Sequence, residues 1–171
     1  MSLGFDLRIG FLERFGRDGI GRDGLISGWS DPEGEHLWSN GSTAVLLFGQ
    51  RARPPALVFA ADGEPYLPND DYVQDITLYV NGWWAGFWRL GEKKNYVLEA
   101  RIEPEWWVPR GDRNIARISF VIPNSACPVV VGGAKDQRSL GFCLRTLQFR
   151  PIAGEFVQEG PPSLELARRA S

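Results

Sequence analysis

The chain has 171 residues, 43% apolar and 23% charged, which gives it the burial capacity of one globular domain and too little charge for a disordered polymer. Nineteen Lys and Arg stand against 21 Asp and Glu, so no broad field exists to concentrate nucleic acid or an anionic membrane. No stretch approaches the roughly 20 apolar residues of a spanning helix, and the N-terminal Met1-Ser2-Leu3-Gly4-Phe5-Asp6 lacks the basic-then-apolar pattern of a leader. The expectation is a protein with no membrane span and no nucleic-acid partner, in a cytoplasmic setting. Cys127 and Cys143 both lie in apolar contexts, which favours two reduced, packed thiols over a disulfide.

In chain order, Gly4–Phe11 reads as a first strand, and the glycine-spaced stretch Gly16–Gly28 as an irregular lead-in. Residues 1–26 are thus expected to precede a sandwich domain over 27–152. Thr43–Phe48 and Ala56–Ala60 are rich in β-branched and bulky residues and read as strands. Asp75–Val80 alternates Ile76, Leu78 and Val80 against Thr77 and Tyr79, the period of a half-buried strand. It ends at Asn81-Gly82, a pair that tolerates positive φ and signals a tight hairpin, with Trp83–Leu90 as the returning partner. Asn95–Ile102 and Ile115–Ile122 continue the series. Between them, residues 103–109 are bracketed by prolines and predict a loop or one helical turn. Pro128–Val131 reads as a short strand. Leu140–Arg150 alternates Phe142, Leu144, Thr146 and Gln148 against Cys143, Arg145, Leu147 and Phe149. The tail, 153–171, is expected to be peripheral, with a short helix over Ser163–Arg169. Many short strands, 20 glycines and 12 prolines point to an all-β, antiparallel β-sandwich or barrel.

Several motifs invite a chemical reading and do not sustain it. Gly19-Ile20-Gly21-Arg22-Asp23-Gly24 matches G-x-G-x-x-G, but no helical period follows to present its amides to a pyrophosphate. The single histidine, His36, sits beside Asp31, Glu33 and Glu35. Without a second histidine or a close cysteine pair this loop does not suit zinc, although carboxylates and carbonyls are the chemistry of calcium. No nucleophile elbow surrounds Ser27, Ser30 or Ser39. Asp31, Glu33, Glu35, Asp70, Asp71, Glu103 and Glu105 could supply a glycosidase carboxylate pair only if the fold joined them. No cofactor is implied.

The seven tryptophans are the strongest chemical signal. An indole face suits stacking on the C–H face of a sugar, and its N–H remains free to donate. On Trp83–Leu90, Trp84 and Trp88 share one parity while Trp83, Ala85 and Phe87 share the other, and only one face of a strand can be core. Some aromatic surface is therefore expected outside. Trp29 and Trp38 are assigned to core or loop packing, and the candidate ligand-binding residues are Trp83, Trp84, Trp106 and Trp107. Asp136 and Arg138 are added because an acceptor and a planar donor two residues apart can grip sugar hydroxyls, or else pin a strand entrance as a salt bridge.

Four segments carry a family resemblance: Gly28-Trp29-Ser30-Asp31-Pro32-Glu33 with Trp38-Ser39, Val80-Asn81-Gly82, Ile118 to Asn124, and Asp136-Gln137-Arg138-Ser139-Leu140-Gly141-Phe142. Over roughly Ser27 to Arg150 the chain resembles accessory β-sandwich domains, similar to carbohydrate-binding modules, appended to bacterial glycosyltransferases and other polysaccharide proteins. The resemblance implies a jelly-roll or galactose-binding-like sandwich and a noncatalytic role near carbohydrate, and it carries over no catalytic residues. The leading expectation is a carbohydrate-binding or accessory module in bacterial polysaccharide synthesis or modification. The competing ones are a protein-interaction or oligomerisation domain using exposed tryptophans, and a small glycan-active enzyme.

Overall fold

The structure, a computed structural model, describes residues 5–152. In chain order it contains β1 (Phe5–Asp6), β2 (Leu12–Arg14), a 3-10 turn (Ile20–Gly24), β3 (Leu25–Ser27), β4 (Leu37–Asn40), β5 (Thr43–Gln50) and β6 (Leu57–Pro65). There follow β7 (Gln74–Val80), β8 (Trp83–Leu90), β9 (Tyr96–Ile102), a second 3-10 turn (Pro104–Trp106), β10 (Val108–Arg110), β11 (Arg113–Val121), α1 (Pro128–Val131) and β12 (Leu140–Pro151). The expected terminal helix at Ser163–Arg169 lies outside the described residues.

Two sheets face each other. The first has the order β1-β5-β11-β7-β8, with β3 added to β5 and β10 to β11; the second has the order β2-β12-β6-β9, with β4 added to β12. All pairings are antiparallel except β1 with β5. The fold is thus the all-β sandwich expected. The lead-in is woven into it, since β1 and β3 border one sheet and β2 borders the other.

The core lies between the sheets. From the first come Leu46, Phe48, Ile76, Leu78, Ile118 and Phe120, and from the second Leu57, Phe59, Leu98, Phe142 and Phe149, all buried. Phe149 meets Phe48 and Phe59 edge-on, with ring centroids 5.1 and 5.5 Å apart, the arrangement that aromatic quadrupoles favour.

Pro128–Val131 is one turn of helix and not a strand. Proline lacks an N–H for a ladder but suits the first helical turn, and Gly132-Gly133 then ends it, Gly133 at φ +68°. The β4 strand also escapes the hydrophobic pattern. Its Ser39 is fully buried and its hydroxyl accepts from the Phe142 N–H at 2.8 Å, so a polar residue occupies an inward position at the cost of only local repair.

Both cysteines are free thiols. Cys143 is fully buried, and burial pushes its pKa up to about 12, so the nucleophilic thiolate is suppressed. Cys127 is half-buried at the start of α1. A chromogenic disulfide reagent should therefore titrate Cys127 alone in the native protein and both thiols in denaturant. Two rapidly reacting thiols in native buffer would contradict the packing around Cys143. Among the described residues, no helix is long and apolar enough to cross a membrane.

Candidate functional site

The hairpin of β7 and β8 turns at Asn81-Gly82, whose φ values of +49° and +88° meet the requirement of a tight turn with the twist of its strands. Asn81 also anchors the neighbouring loop. Its Nδ2 donates to the carbonyls of Trp106 and Ile115, both at 2.7 Å, and its Oδ1 accepts from the Arg117 N–H at 3.1 Å.

A β-bulge decides where the aromatic residues of β8 point. Val80 pairs with Trp83, Tyr79 with Trp84 and Leu78 with Gly86, so Ala85 is an extra residue and the alternation changes phase after it. Beyond it Thr77 pairs with Phe87 and Ile76 with Trp88. Leu78 and Ile76 are core, so Gly86 and Trp88 face inward with them, while Trp84 and Phe87 share the outer face with Tyr79 and Thr77. This corrects the parity expected from sequence, in which Trp84 accompanied Trp88 and Phe87 opposed them. Gly86 accommodates the inward turn: a Cβ there would come within 2.5 Å of the Trp88 ring.

The outer face of this hairpin carries two bare rings. Trp84 is 60% exposed and Phe87 49% exposed, with Tyr79 and Thr77 half-buried beside them. Two residues of strand separate the Trp84 and Phe87 positions, roughly 7 Å. The next strand inward, β11, places Arg117 and Ser119 on the same face, and the Arg117 guanidinium lies 3.3 Å from the Ser119 hydroxyl.

Trp83, 58% exposed, stands at the open end of the sandwich and lies parallel to Trp106, with ring centroids 6.4 Å apart and planes 5° apart. The 3-10 turn Pro104–Trp106 creates this pair. It leaves Trp106 partly exposed and sends Trp107 inward, where it is 1% exposed, tilted against Phe149, and without a partner for its indole N–H among the described residues. Trp107 is thus core, and its ring offers no ligand surface. Of the four candidate tryptophans, Trp83, Trp84 and Trp106 gather at the hairpin end. Phe87, Tyr79 and Arg117 share the outer face with Trp84, a grouping that residue types alone do not reveal because it follows from the bulge and from strand order.

Asp136 and Arg138 lie elsewhere. The loop entering β12 sits at the other end of β11, next to the Asn124 turn, where Ala126 bridges Leu140. Arg138 donates to both Asp136 oxygens, with contacts from 2.6 to 3.1 Å, and also to Glu33. This network ties the 31–36 loop to the start of β12. Arg138, already committed to two carboxylates, does not join the aromatic groups. Trp38 stands nearby, edge-on to His36 and Tyr66, and Trp29 packs edge-on against Phe120 while its N–H donates to the Val45 carbonyl at 3.0 Å. Both therefore pack, as expected.

Hydrogen bonds from the Arg138 side chain, then from its backbone N–H, hold the Asp136 carboxyl below the ordinary aspartate value of 3.8. Asp75 is lowered in the same direction by Arg89, which grips it at 2.7 and 2.8 Å. A carboxyl lowered in the folded state stabilises it above the unfolded pKa, and that stabilisation disappears as pH falls through the folded pKa. Urea midpoints should thus stay level from neutral pH to about 5 and decline below about 4. In Asp136→Asn the acid decline should be shallower; an unchanged decline would remove Asp136 from the account.

A shallow groove of about 380 Å³ lies at the opposite border of the first sheet, between Arg22, Asp23, Ile26 and Trp29. Among the described residues no three His, Cys, Asp or Glu side chains come together as a metal site requires. The Asp31–His36 loop instead closes on itself through paired Glu33 and His36 backbone hydrogen bonds.

No family model and no curated protein matches the chain. Solved structures with a similar course include the CBM36-1 domain of a multidomain xylanase from the hindgut metagenome of Trinervitermes trinervoides, at 14% identity and a TM-score of 0.45, covering 83% of this chain and 97% of that one. A non-crystalline cellulose specific carbohydrate-binding module, CBM28, matches at 12% identity and a TM-score of 0.42, covering 86% and 98%. A family 35 carbohydrate binding module from an environmental isolate matches at 10% identity and a TM-score of 0.39, covering 86% and 87%.

Proposed function

We propose that this chain is a noncatalytic carbohydrate-binding module that holds an oligosaccharide on the outer face of the β7–β8 hairpin. The observation that carries the reading is the pair of bare rings, Trp84 and Phe87, brought to one face by the bulge at Ala85. Polar groups sit between and beside them: the Thr77 and Ser119 hydroxyls, the Tyr79 phenol and the Arg117 guanidinium. Flat apolar rings interleaved with hydrogen-bonding groups match the alternating C–H and O–H surface of a sugar ring. A continuous apolar patch, the mark of a protein-protein core, would lack those polar groups.

The face is ill suited to hydrolysis. Glycoside cleavage needs two carboxyl groups flanking the bond, whereas the carboxylate on this face, Asp75, is committed to Arg89 through two contacts. Binding is stacking plus hydrogen bonding, and the sugar leaves unchanged. The setting we propose, from the sequence resemblance, is an appended domain in bacterial polysaccharide synthesis or modification.

Titration of the protein with a panel of neutral and acidic oligosaccharides, followed by tryptophan fluorescence, tests the reading. Saturable quenching or enhancement with at least one glycan is expected, with no product by chromatography. A flat response across the panel at millimolar concentration, together with a concentration-dependent dimer by light scattering that Trp84→Ala disrupts, would replace this reading with the interaction domain.

A further inference from the structure

We infer that the ligand of this face is an acidic oligosaccharide, its uronate carboxylate bound by Arg117 while the neighbouring sugar ring stacks on Trp84; this rests on the carbohydrate reading above. Arg117 is exposed and belongs to β11, in the interior of the first sheet and not at a loop tip. Its backbone N–H is taken by Asn81 and its guanidinium touches Ser119, a neutral hydroxyl, at 3.3 Å. Among the described residues it has no carboxylate partner. Most other strand arginines do: Arg89 pairs with Asp75, Arg113 with Asp6, Arg145 with Glu64 and Arg150 with Glu99, whereas Arg14 and Arg110, like Arg117, show none among the described residues but lie in three-residue strands at the borders of the sheets. An unpaired guanidinium held by a sheet keeps its donors available in a fixed fork, which fits the two oxygens of a carboxylate.

Charge and spacing agree with this occupant. The chain as a whole carries a formal net charge of -2, yet the outer positions of β7, β8 and β11 hold three arginines, Arg89, Arg113 and Arg117, and a single carboxylate, Asp75; Asp75 is taken by Arg89, and Arg113 is taken by Asp6 of β1. The face therefore presents one uncompensated positive charge. From the register, Arg117 is two strands across and two residues along from Trp84, a Cα separation of about 12 Å. Long side chains reaching inward from both ends shorten that gap to the span of adjacent linked sugars. The guanidinium would otherwise be a solvated surface charge, and no aromatic residue would need to stand in line with it.

The test compares two probes on the intact chain: an oligogalacturonate, and the same oligosaccharide with its carboxylates reduced to alcohols. Calorimetry should show the acidic probe binding about tenfold or more tightly, the range expected for a charge-assisted hydrogen-bonded pair, with the advantage shrinking as salt rises. Arg117→Gln should erase that advantage while keeping the weak binding of the reduced probe, and Arg117→Lys should restore part of it. Trp84→Ala should weaken both probes alike. Equal affinity for the two probes in the parent protein, or an advantage that survives Arg117→Gln, overturns the acidic-ligand inference and leaves the carbohydrate reading standing. Loss of both together shows as neither probe binding, with Trp84→Ala silent. Circular dichroism melts of each variant establish that the fold is retained, as an exposed side chain predicts.

Discussion

Replacing Trp84 with alanine should weaken glycan binding by at least tenfold while leaving the thermal midpoint nearly unchanged. The two effects separate because the ring lies on the outer face and is 60% exposed. Its removal opens no cavity, and surface substitutions away from packed features usually alter stability within about 0.5 kcal/mol. A bound sugar, by contrast, would lose a stacking platform, and a tenfold weakening corresponds to about 1.4 kcal/mol. Phe87→Ala should act in the same direction and less strongly, because Phe87 has the smaller ring and is the less exposed of the two. Fluorescence titration and differential scanning calorimetry on the same preparations provide both readouts. A Trp84→Ala protein that melts far lower would mean that the ring packs in solution, and the face would lose its main argument.

The opposite behaviour is expected one loop away. Trp107→Ala should destabilise the fold by about 3–5 kcal/mol, the range for truncating a large aromatic core residue. For a domain of this size that amounts to a drop of many degrees in midpoint. The ring is 1% exposed and abuts Phe149, at the centre of the Phe48–Phe59–Phe149 group. Its buried indole N–H has no partner among the described residues, and such an orphan costs about 1–3 kcal/mol. Trp107→Phe removes that liability while keeping most of the ring, so its loss should be less than half that of the alanine variant. Chemical unfolding of both variants measures the ratio. Similar losses for the two would show that the N–H is satisfied in solution, by a buried water for example.

These contrasts show which features the sequence made legible. The sandwich emerged from short apolar runs and turn residues because those are local signals. The Asn81-Gly82 hairpin was readable for the same reason, its two positive φ values being written in residue type. The expectation that some aromatic residues of β8 lie outside also followed from strand geometry. Which ones do so did not follow, because alternation loses its meaning at a bulge. On β12 the same thing happens: a register shift between Leu144 and Thr146 moves the inward series from Phe142 and Leu144 to Leu147 and Phe149. A strict period of two would have sent half of these residues to the wrong side. Nothing in the identity of Ala85 or Arg145 marks either as the extra residue, since a bulge is set by the partner strand.

The candidate site was legible in kind and not in membership. Trp106 and Trp107 are adjacent and chemically identical, and a single 3-10 turn gives one to the rim and the other to the core. Asp136 and Arg138 had the right chemistry for sugar hydroxyls, but Glu33 arrives from a loop more than a hundred residues earlier and completes a closed ionic network. Arg117 drew no attention because its significance is the lack of a carboxylate, which depends on every strand around it.

The bulge at Ala85 has a further consequence for how the protein can display such rings at all. β8 is the last strand of its sheet, and an edge with unpaired backbone groups and exposed aromatic side chains is what recruits a second chain into an intermolecular ladder. An extra residue midway along that edge breaks the even spacing of its free N–H and C=O groups, so a straight strand from a neighbouring copy cannot zip along it. The irregularity that turns Phe87 outward therefore also guards against the aggregation that its exposure would invite. Deleting Ala85 should leave Phe87 opposite Thr77 on the outer face, straighten the edge and make the protein precipitate, with the rings in place and their protection gone.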